Sequence, residues 1–217
     1  MKRFLILAAF NMVCFAAFAQ IEEPLRFTGE DENQLIKEAD GGKYFTGAED
    51  SSYTVFLGDD PLKYKLFNKD HKVIADGLLV AEGNVFLHEG KWTEYYDNGK
   101  VKSTGMYYKD HPIGNWQRFY EDGKLKLNCT FTLIENGAYY SCMTGDYKEY
   151  YENGKSKTTG FYKAVFDESL KDTVMVVNPD TGGEEMKTVK STKPHAIKFG
   201  TWQYYNEQGE LLKKEDF

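Results

Sequence analysis

The chain predicts an all-β protein, an elongated, twisted antiparallel meander of stacked β-hairpin repeats with one hairpin insertion. Three observations carry that expectation. Residues 90–100, Gly-Lys-Trp-Thr-Glu-Tyr-Tyr-Asp-Asn-Gly-Lys, return as residues 114–124, 145–155 and 200–210. In each copy the two glycines stand nine residues apart, with an aromatic residue two places after the first. The composition, with 16 Tyr and 15 Phe, suits strands whose rings are half buried and half wet. A chain built of copies is usually a stack of like units rather than a globule around one pocket.

The elements follow in order. Residues 1–19 read as a secretory signal peptide. Met1-Lys2-Arg3 is basic, residues 4–18 are nearly all apolar, and Ala17-Phe18-Ala19 precedes Gln20. Export places the mature chain in the periplasm or outside the cell. No second apolar stretch reaches membrane-spanning length. Residues 20–61 form a lead-in. Within it residues 30–40 read as a short helix or a solvated segment, and residues 52–57 as a strand that covers the first repeat's open edge.

The repeat array spans 62–217, with copies starting near 62, 90, 114, 145 and 200. In the second copy residues 91–96 form one arm. Asp97-Asn98-Gly99-Lys100 form the turn, because Asn and Gly tolerate positive φ. Residues 101–108 return. Gly105, matched by Gly160, marks a bend or a close approach of another group. Residues 109–114, with Pro112, form a loop into the next copy. The first copy is worn, with His71 in place of the turn glycine. An insertion over 164–198 reads as an extra hairpin, residues 172–177 and 184–189 around a turn at 178–183.

Cys14 leaves with the signal. Cys129 and Cys142 flank Glu135-Asn136-Gly137-Ala138 on the arms of one hairpin, and in an exported protein they are expected to form a disulfide. Formal net charge is −7, and becomes −9 when Lys2 and Arg3 leave. That balance, with no basic cluster, disfavours nucleic acid and anionic lipid as partners.

The repeated pattern, clearest at residues 145–155, resembles the bacterial variant of the membrane occupation and recognition nexus (MORN) repeat. That variant is typical of proteins labelled YwqK-family antitoxins. The resemblance covers about 62–217 without the insertion. It implies stacked hairpins in an elongated sheet and a role in protein interaction or, in eukaryotic relatives, near membranes.

No phosphate loop, nucleophile elbow or His-Glu-x-x-His motif is present. His71, His88, His111 and His195 fall at unmatched positions, so no catalytic residue, cofactor or metal ligand is assigned. The acidic tips Asp97, Glu121, Asp122, Glu152 and Glu207 read either as turn chemistry or as a calcium ridge. The aromatic columns remain: Trp92, Trp116, Tyr147 and Trp202 in one, Tyr95, Phe119, Tyr150 and Tyr205 in a second, and Tyr96, Tyr120 and Tyr151 in a third, where Asn206 breaks the series. By strand alternation residues 92 and 96 point one way and residue 95 the other. One ladder forms the core. The other is a candidate platform for a protein partner or for sugar rings. The expected function is an exported, non-catalytic interaction module, antitoxin- or immunity-like, with a glycan- or envelope-binding module as the alternative.

Overall fold

The computed structural model describes residues 35–39, 42–46, 53–57, 61–83, 85–167, 169, 171–177 and 182–217. The expected signal peptide lies outside the described residues. The strands are β1 (Leu35–Ala39), β2 (Gly42–Thr46), β3 (Tyr53–Leu57), β4 (Leu62–Phe67), β5 (Val73–Glu82), β6 (Val85–Tyr95), β7 (Val101–Tyr108) and β8 (His111–Phe119). They continue as β9 (Leu125–Glu135), β10 (Tyr139–Tyr150), β11 (Ser156–Phe166), β12 (Lys171–Val177), β13 (Glu184–Lys190), β14 (Pro194–Tyr205) and β15 (Leu211–Asp216). Thirteen form one open antiparallel sheet in chain order, and β12 and β13 form a separate two-stranded sheet. The expected fold class is the observed one.

Three local readings change. Residues 35–39 form an outer strand, not a helix, and β1 to β3 join the sheet by pairing onto β4. The expected loop over 109–114 shrinks to a two-residue turn, with φ of 46° at Lys109 and 67° at Asp110. Pro112 sits within β8, opposite Tyr107 at the strand's start, where a missing N–H is tolerated. The insertion's hairpin forms as expected, but β11 and β14 extend to Phe166 and back to Pro194, so residues 164–166 and 194–198 belong to the main sheet.

The repeated Gly-x-Trp has a geometric reason. Between Leu78↔Glu89 and Asp76↔Thr93 the β5–β6 register shifts, so Gly77 alone opposes Gly90, Lys91 and Trp92. The same shift separates Thr104 from Met106 along β7, and Thr159 from Phe161 along β11. The bulge turns on a glycine in the left-handed region: φ is 64° at Gly90, 65° at Gly114, 71° at Gly145 and 67° at Gly200. A bulge of this kind re-aims the side chain that follows it. Here it lays the ring onto the preceding copy's strand. A Cβ on Gly77 would stand 2.0 Å from the Trp92 ring, one on Gly105 2.1 Å from Trp116, and one on Gly160 2.2 Å from Trp202. These three glycines are seats for rings, which realises the close approach expected at Gly105 and Gly160.

The fourth seat is occupied differently. Cys129 stands where the other copies have the seat glycine, and the ring belonging to it is Tyr147, smaller than Trp. Both side chains are buried in one cluster with Trp116, Leu127, Phe131, Met143 and Trp202. A larger seat is matched by a smaller ring, as close packing requires.

Cys129 and Cys142 are both fully buried thiols and do not form the expected disulfide. Cys142 lies opposite Thr132 of β9, whereas Cys129 lies opposite Trp116 of β8. Thr132 is three residues beyond Cys129 on the same strand. That is roughly 10 Å of rise and an odd step, so the two sulfurs lie on opposite faces. A disulfide tolerates neither separation nor orientation of that kind.

Two outcomes are expected. Gly105→Ala should cost about 2–3 kcal/mol in urea unfolding, because its methyl group collides with the Trp116 ring. Gly137→Ala, with open space around it, should cost only the roughly 1 kcal/mol of its left-handed backbone. Thiol titration should give the same count with and without reductant, and only after denaturation. Burial pushes the Cys129 thiol from the ordinary 9.0 up to about 12. Its folded value is raised, so its contribution to stability is complete below pH 9 and is lost as pH rises from there toward 12. The loss approaches about 1.4 kcal/mol per pH unit, readable as a falling denaturation midpoint.

Candidate interaction surface

The ring column is the core. Trp116 and Trp202 are 2% exposed, and Trp92 and Tyr147 are 8% exposed. Tyr64 and Trp92 stack with centroids 5.2 Å apart, and Tyr147 and Trp202 tilt together at 5.5 Å. Two places after the seats Gly105 and Gly160 a tyrosine packs edge-on beside the rings: Tyr107 lies 5.0 Å from Trp116, and Tyr162 4.9 Å from Trp202. Indole N–H groups donate to the strand beneath, Trp116 to the carbonyl of Met106 and Trp202 to that of Phe161. The candidate platform of Trp92, Trp116, Tyr147 and Trp202 is therefore interior, with no ring face open to a ligand.

Both ends of the column are closed by other parts of the chain. At the start, Phe56 of β3 meets Tyr64 edge-on at 5.6 Å. Beside the ring of the copy at 200–210, the Lys198 ammonium lies 4.6 Å from the Trp202 centroid and 4.9 Å from that of Phe217, and donates to the Tyr204 hydroxyl at 2.7 Å. Cation–π contact of this kind is a familiar use of an aromatic face.

Tyr96, Tyr120 and Tyr151 are also engaged within the chain. They stand at the hairpin ends and donate their hydroxyls to backbone carbonyls of the next copy: Phe119 at 2.7 Å, Tyr150 at 2.7 Å and Tyr205 at 2.8 Å. Asn98 and Asn153 donate to the carbonyls of Glu121 and Glu207. Lys72, Lys100 and Lys155 reach the carbonyls of Asp97, Asp122 and Gln208. The Tyr-x-Asn-Gly-Lys motif is thus a staple to the following turn at 96–100 and 151–155, while at 120–124 Tyr120 makes the crossing bond. Asn206 replaces the tyrosine in the copy at 200–210, and its amide bonds Glu210 instead. Only Gly99, Gly123, Gly154 and Gly209 take positive φ in these turns, so the asparagine is there for its side chain. Asn98 accepts from the Lys100 N–H at 2.9 Å while donating across the gap.

The acidic tips serve mainly through their backbone carbonyls, and the Asp122 carboxylate bonds its own Lys124. Among the described residues there is no group of three or more His, Cys, Asp or Glu side chains able to hold a metal ion. The histidines do not converge. Nδ1 of His88 lies 2.6 Å from Asp110, with the ring edge-on to Trp92 at 4.1 Å. This contact, with bonds from the Lys109 N–H to Glu89 and the Asp110 N–H to the His88 carbonyl, holds the left-handed Lys109-Asp110 turn in place. His195 bonds the buried Ser191 at 2.8 Å, in a turn that Ser191 also caps through the Lys193 N–H. Burial lowers the His111 pKa. A shallow depression of about 290 Å³ is lined by Val80, Ala81, Glu82, Glu89, Tyr108 and Lys109.

The sheet's other face is the one that meets solvent. Thr104, Gln117, Asn128, Lys148, Thr159 and Gln203 form a polar row across it. The neighbouring row, beside the bulges, carries the pairs Met106↔Ile113, Thr130↔Thr144 and Phe161↔Phe199. Phe161 and Phe199 are 42% and 46% exposed, with centroids 6.3 Å apart. The Lys163 ammonium lies 4.4 Å from the Phe199 centroid, and the exposed Ile197 stands opposite Lys163. Sequence reasoning missed this patch. Its signal was the residue just after each seat glycine, apolar in Met106 and Phe161 but threonine after Cys129.

Residues 89–110, 112–132 and 143–164 match the MORN repeat variant family. No curated protein matches the chain. Among the described residues no helix is long and apolar enough to cross a membrane.

Tyr120→Phe and Tyr151→Phe should each lower unfolding free energy by about 1 kcal/mol, the worth of one staple hydrogen bond. Equal effects in urea titrations are expected, because the two hydroxyls make the same bond in successive copies.

Proposed function

We propose that this chain is an exported, non-catalytic interaction module that binds a protein partner on the solvent face of its sheet, as an immunity-type partner would. MORN repeats commonly act as protein- or membrane-interaction modules. The observation that carries the reading is the Phe161–Phe199 pair with Ile197, an exposed apolar patch beside the polar row of the solvent face. Contiguous exposed apolar surface rimmed by polar groups marks interaction sites, and aromatic anchors dominate protein interfaces. Export is supported by the basic start, apolar run and small residues of positions 1–19.

The rings, staples and histidine contacts described above all serve the fold, which leaves surface recognition as the role best supported. The glycan reading rested on an open tryptophan or tyrosine stripe. With the Trp column buried and the Tyr96, Tyr120 and Tyr151 hydroxyls taken up by backbone carbonyls, that stripe is engaged within the fold.

The test is capture from envelope extract with the wild-type chain and with Phe161→Ser/Phe199→Ser. The variant should keep its thermal midpoint and lose the captured protein by about tenfold or more, in keeping with the loss of two aromatic anchors. Equal capture of the same protein by both chains would remove this patch as the site. Retention on a glycan array with no protein captured would favour the alternative.

A further inference from the structure

The charged side chains around the Phe161–Phe199 pair are unevenly matched. On the β10 side Asp146 stands opposite Phe161, and its carboxylate bonds Lys148 at 3.2 Å. On the β15 side Asp216 stands opposite Thr201 and accepts that hydroxyl at 2.6 Å. Both carboxylates are thus engaged within the chain. Lys163 is exposed, its ammonium lies 4.4 Å from the Phe199 centroid, and no carboxylate of the described residues forms an ion pair with it. Lys214, opposite Gln203 on the same face, is also exposed and also lacks such a pair among the described residues. In a chain with 34 acidic and 27 basic residues, ammonium groups without a counter-charge beside an exposed ring pair run against the overall balance.

The position of Lys163 restricts what can cover the patch. Water solvates its ammonium while the rings are open. A wholly apolar partner laid on Phe199 would strip that water and leave a charge without compensation, which is costly. A basic partner would add a like charge. A carboxylate brought to the same place supplies the missing counter-charge, and with water excluded the pair is stronger than one on an open surface. We propose that the partner at this patch is an acidic protein segment, with an apolar side chain on Phe161 and Phe199 and a carboxylate beside it that accepts from Lys163. The inference rests on the reading that a protein binds this patch, and adds the chemistry of that protein. Because the ammonium lies over the ring, the carboxylate has to stand within one side chain of the apolar anchor. Lys214 offers a further positive point toward the polar row. An anionic membrane carries the same sign of charge, but the chain's net charge of −7 disfavours its approach.

The probes are two synthetic peptides, Ac-Glu-Leu-Phe-Glu-NH2 and Ac-Lys-Leu-Phe-Lys-NH2, titrated into the isotope-labelled mature chain. The acidic peptide should shift the amide resonances of Phe161, Lys163, Ile197 and Phe199. It should bind roughly fivefold or more tightly than the basic one, with the difference shrinking at high salt. Lys163→Gln should remove most of this preference and Lys163→Glu should reverse it, both with unchanged circular dichroism. An acidic peptide that fails to bind at millimolar concentration, binds elsewhere on the sheet, or binds no more tightly than the basic one overturns the proposal. So does a preference that survives Lys163→Glu. Sedimentation with phosphatidylglycerol–phosphatidylcholine vesicles is the membrane arm: pelleting of wild type that Lys163→Glu abolishes assigns the patch to lipid and overturns the acidic partner. Capture from envelope extract separates this proposal from the reading beneath it. The same protein captured equally by wild type and Lys163→Glu leaves protein binding standing and removes the acidic partner. The expected peptide preference with no protein captured keeps the chemistry of the patch and removes the protein-binding role.

Discussion

The structure depends on a ring laid over a glycine. A hairpin of this size is marginal by itself, and the main sheet here is one layer. Stability therefore has to come from contacts between adjacent copies on one face. A left-handed glycine at the bulge aims each Trp or Tyr back across the neighbouring strand, and a second glycine on that strand lets the ring settle at a distance no side chain would allow. Rings bury the largest apolar area of any side chain, about 150–250 Å² each, so one such contact per copy supplies most of the driving force for stacking. The Cys129–Tyr147 exchange belongs to the same constraint. What is fixed is the combined volume of seat and ring rather than either residue.

The turns add direction to this stacking. Rings alone would hold neighbours together, but the staples from Tyr, Asn and Lys to the next turn's carbonyls set the register of each hairpin tip on the one after it. All three run the same way along the chain. The copy at 200–210 carries Asn206, Gln208 and Glu210 in place of Tyr, Asn and Lys. The ends of the ring column are closed by means outside the repeat, Phe56 on one side and Lys198 with Phe217 on the other. An array of like units needs such caps, since an end ring would otherwise face water.

This division of labour shapes the functional reading. The motif residues that recur are consumed in holding copies together. Residues free to vary from copy to copy are those on the solvent face, and there Phe161, Phe199 and Ile197 gather on β11 and β14. The proposed recognition thus rests on positions that the repeat does not dictate. The histidines follow the same rule: His88 and His195 are each engaged in local turn geometry, on separate strands β6 and β14.

Much of the architecture was legible in the sequence because strand periodicity and turn chemistry are local. The strand over 101–108, the Asn-Gly turns, the close approach at Gly105 and Gly160, and the hairpin inside the insertion all follow from a few neighbouring residues. Which columns face inward, whether two cysteines meet, and which apolar residues stay wet depend on register across strands. A bulge changes that register by two residues, and nothing within one strand reports it. For that reason Cys129 and Cys142, plausible partners along the hairpin, end on opposite faces, and Tyr96 leaves the strand to become a staple. The sequence by itself determined that like hairpins would stack edge to edge. Only the tertiary structure decided which rings became core and which face was left to solvent, because burial is settled between copies rather than within one.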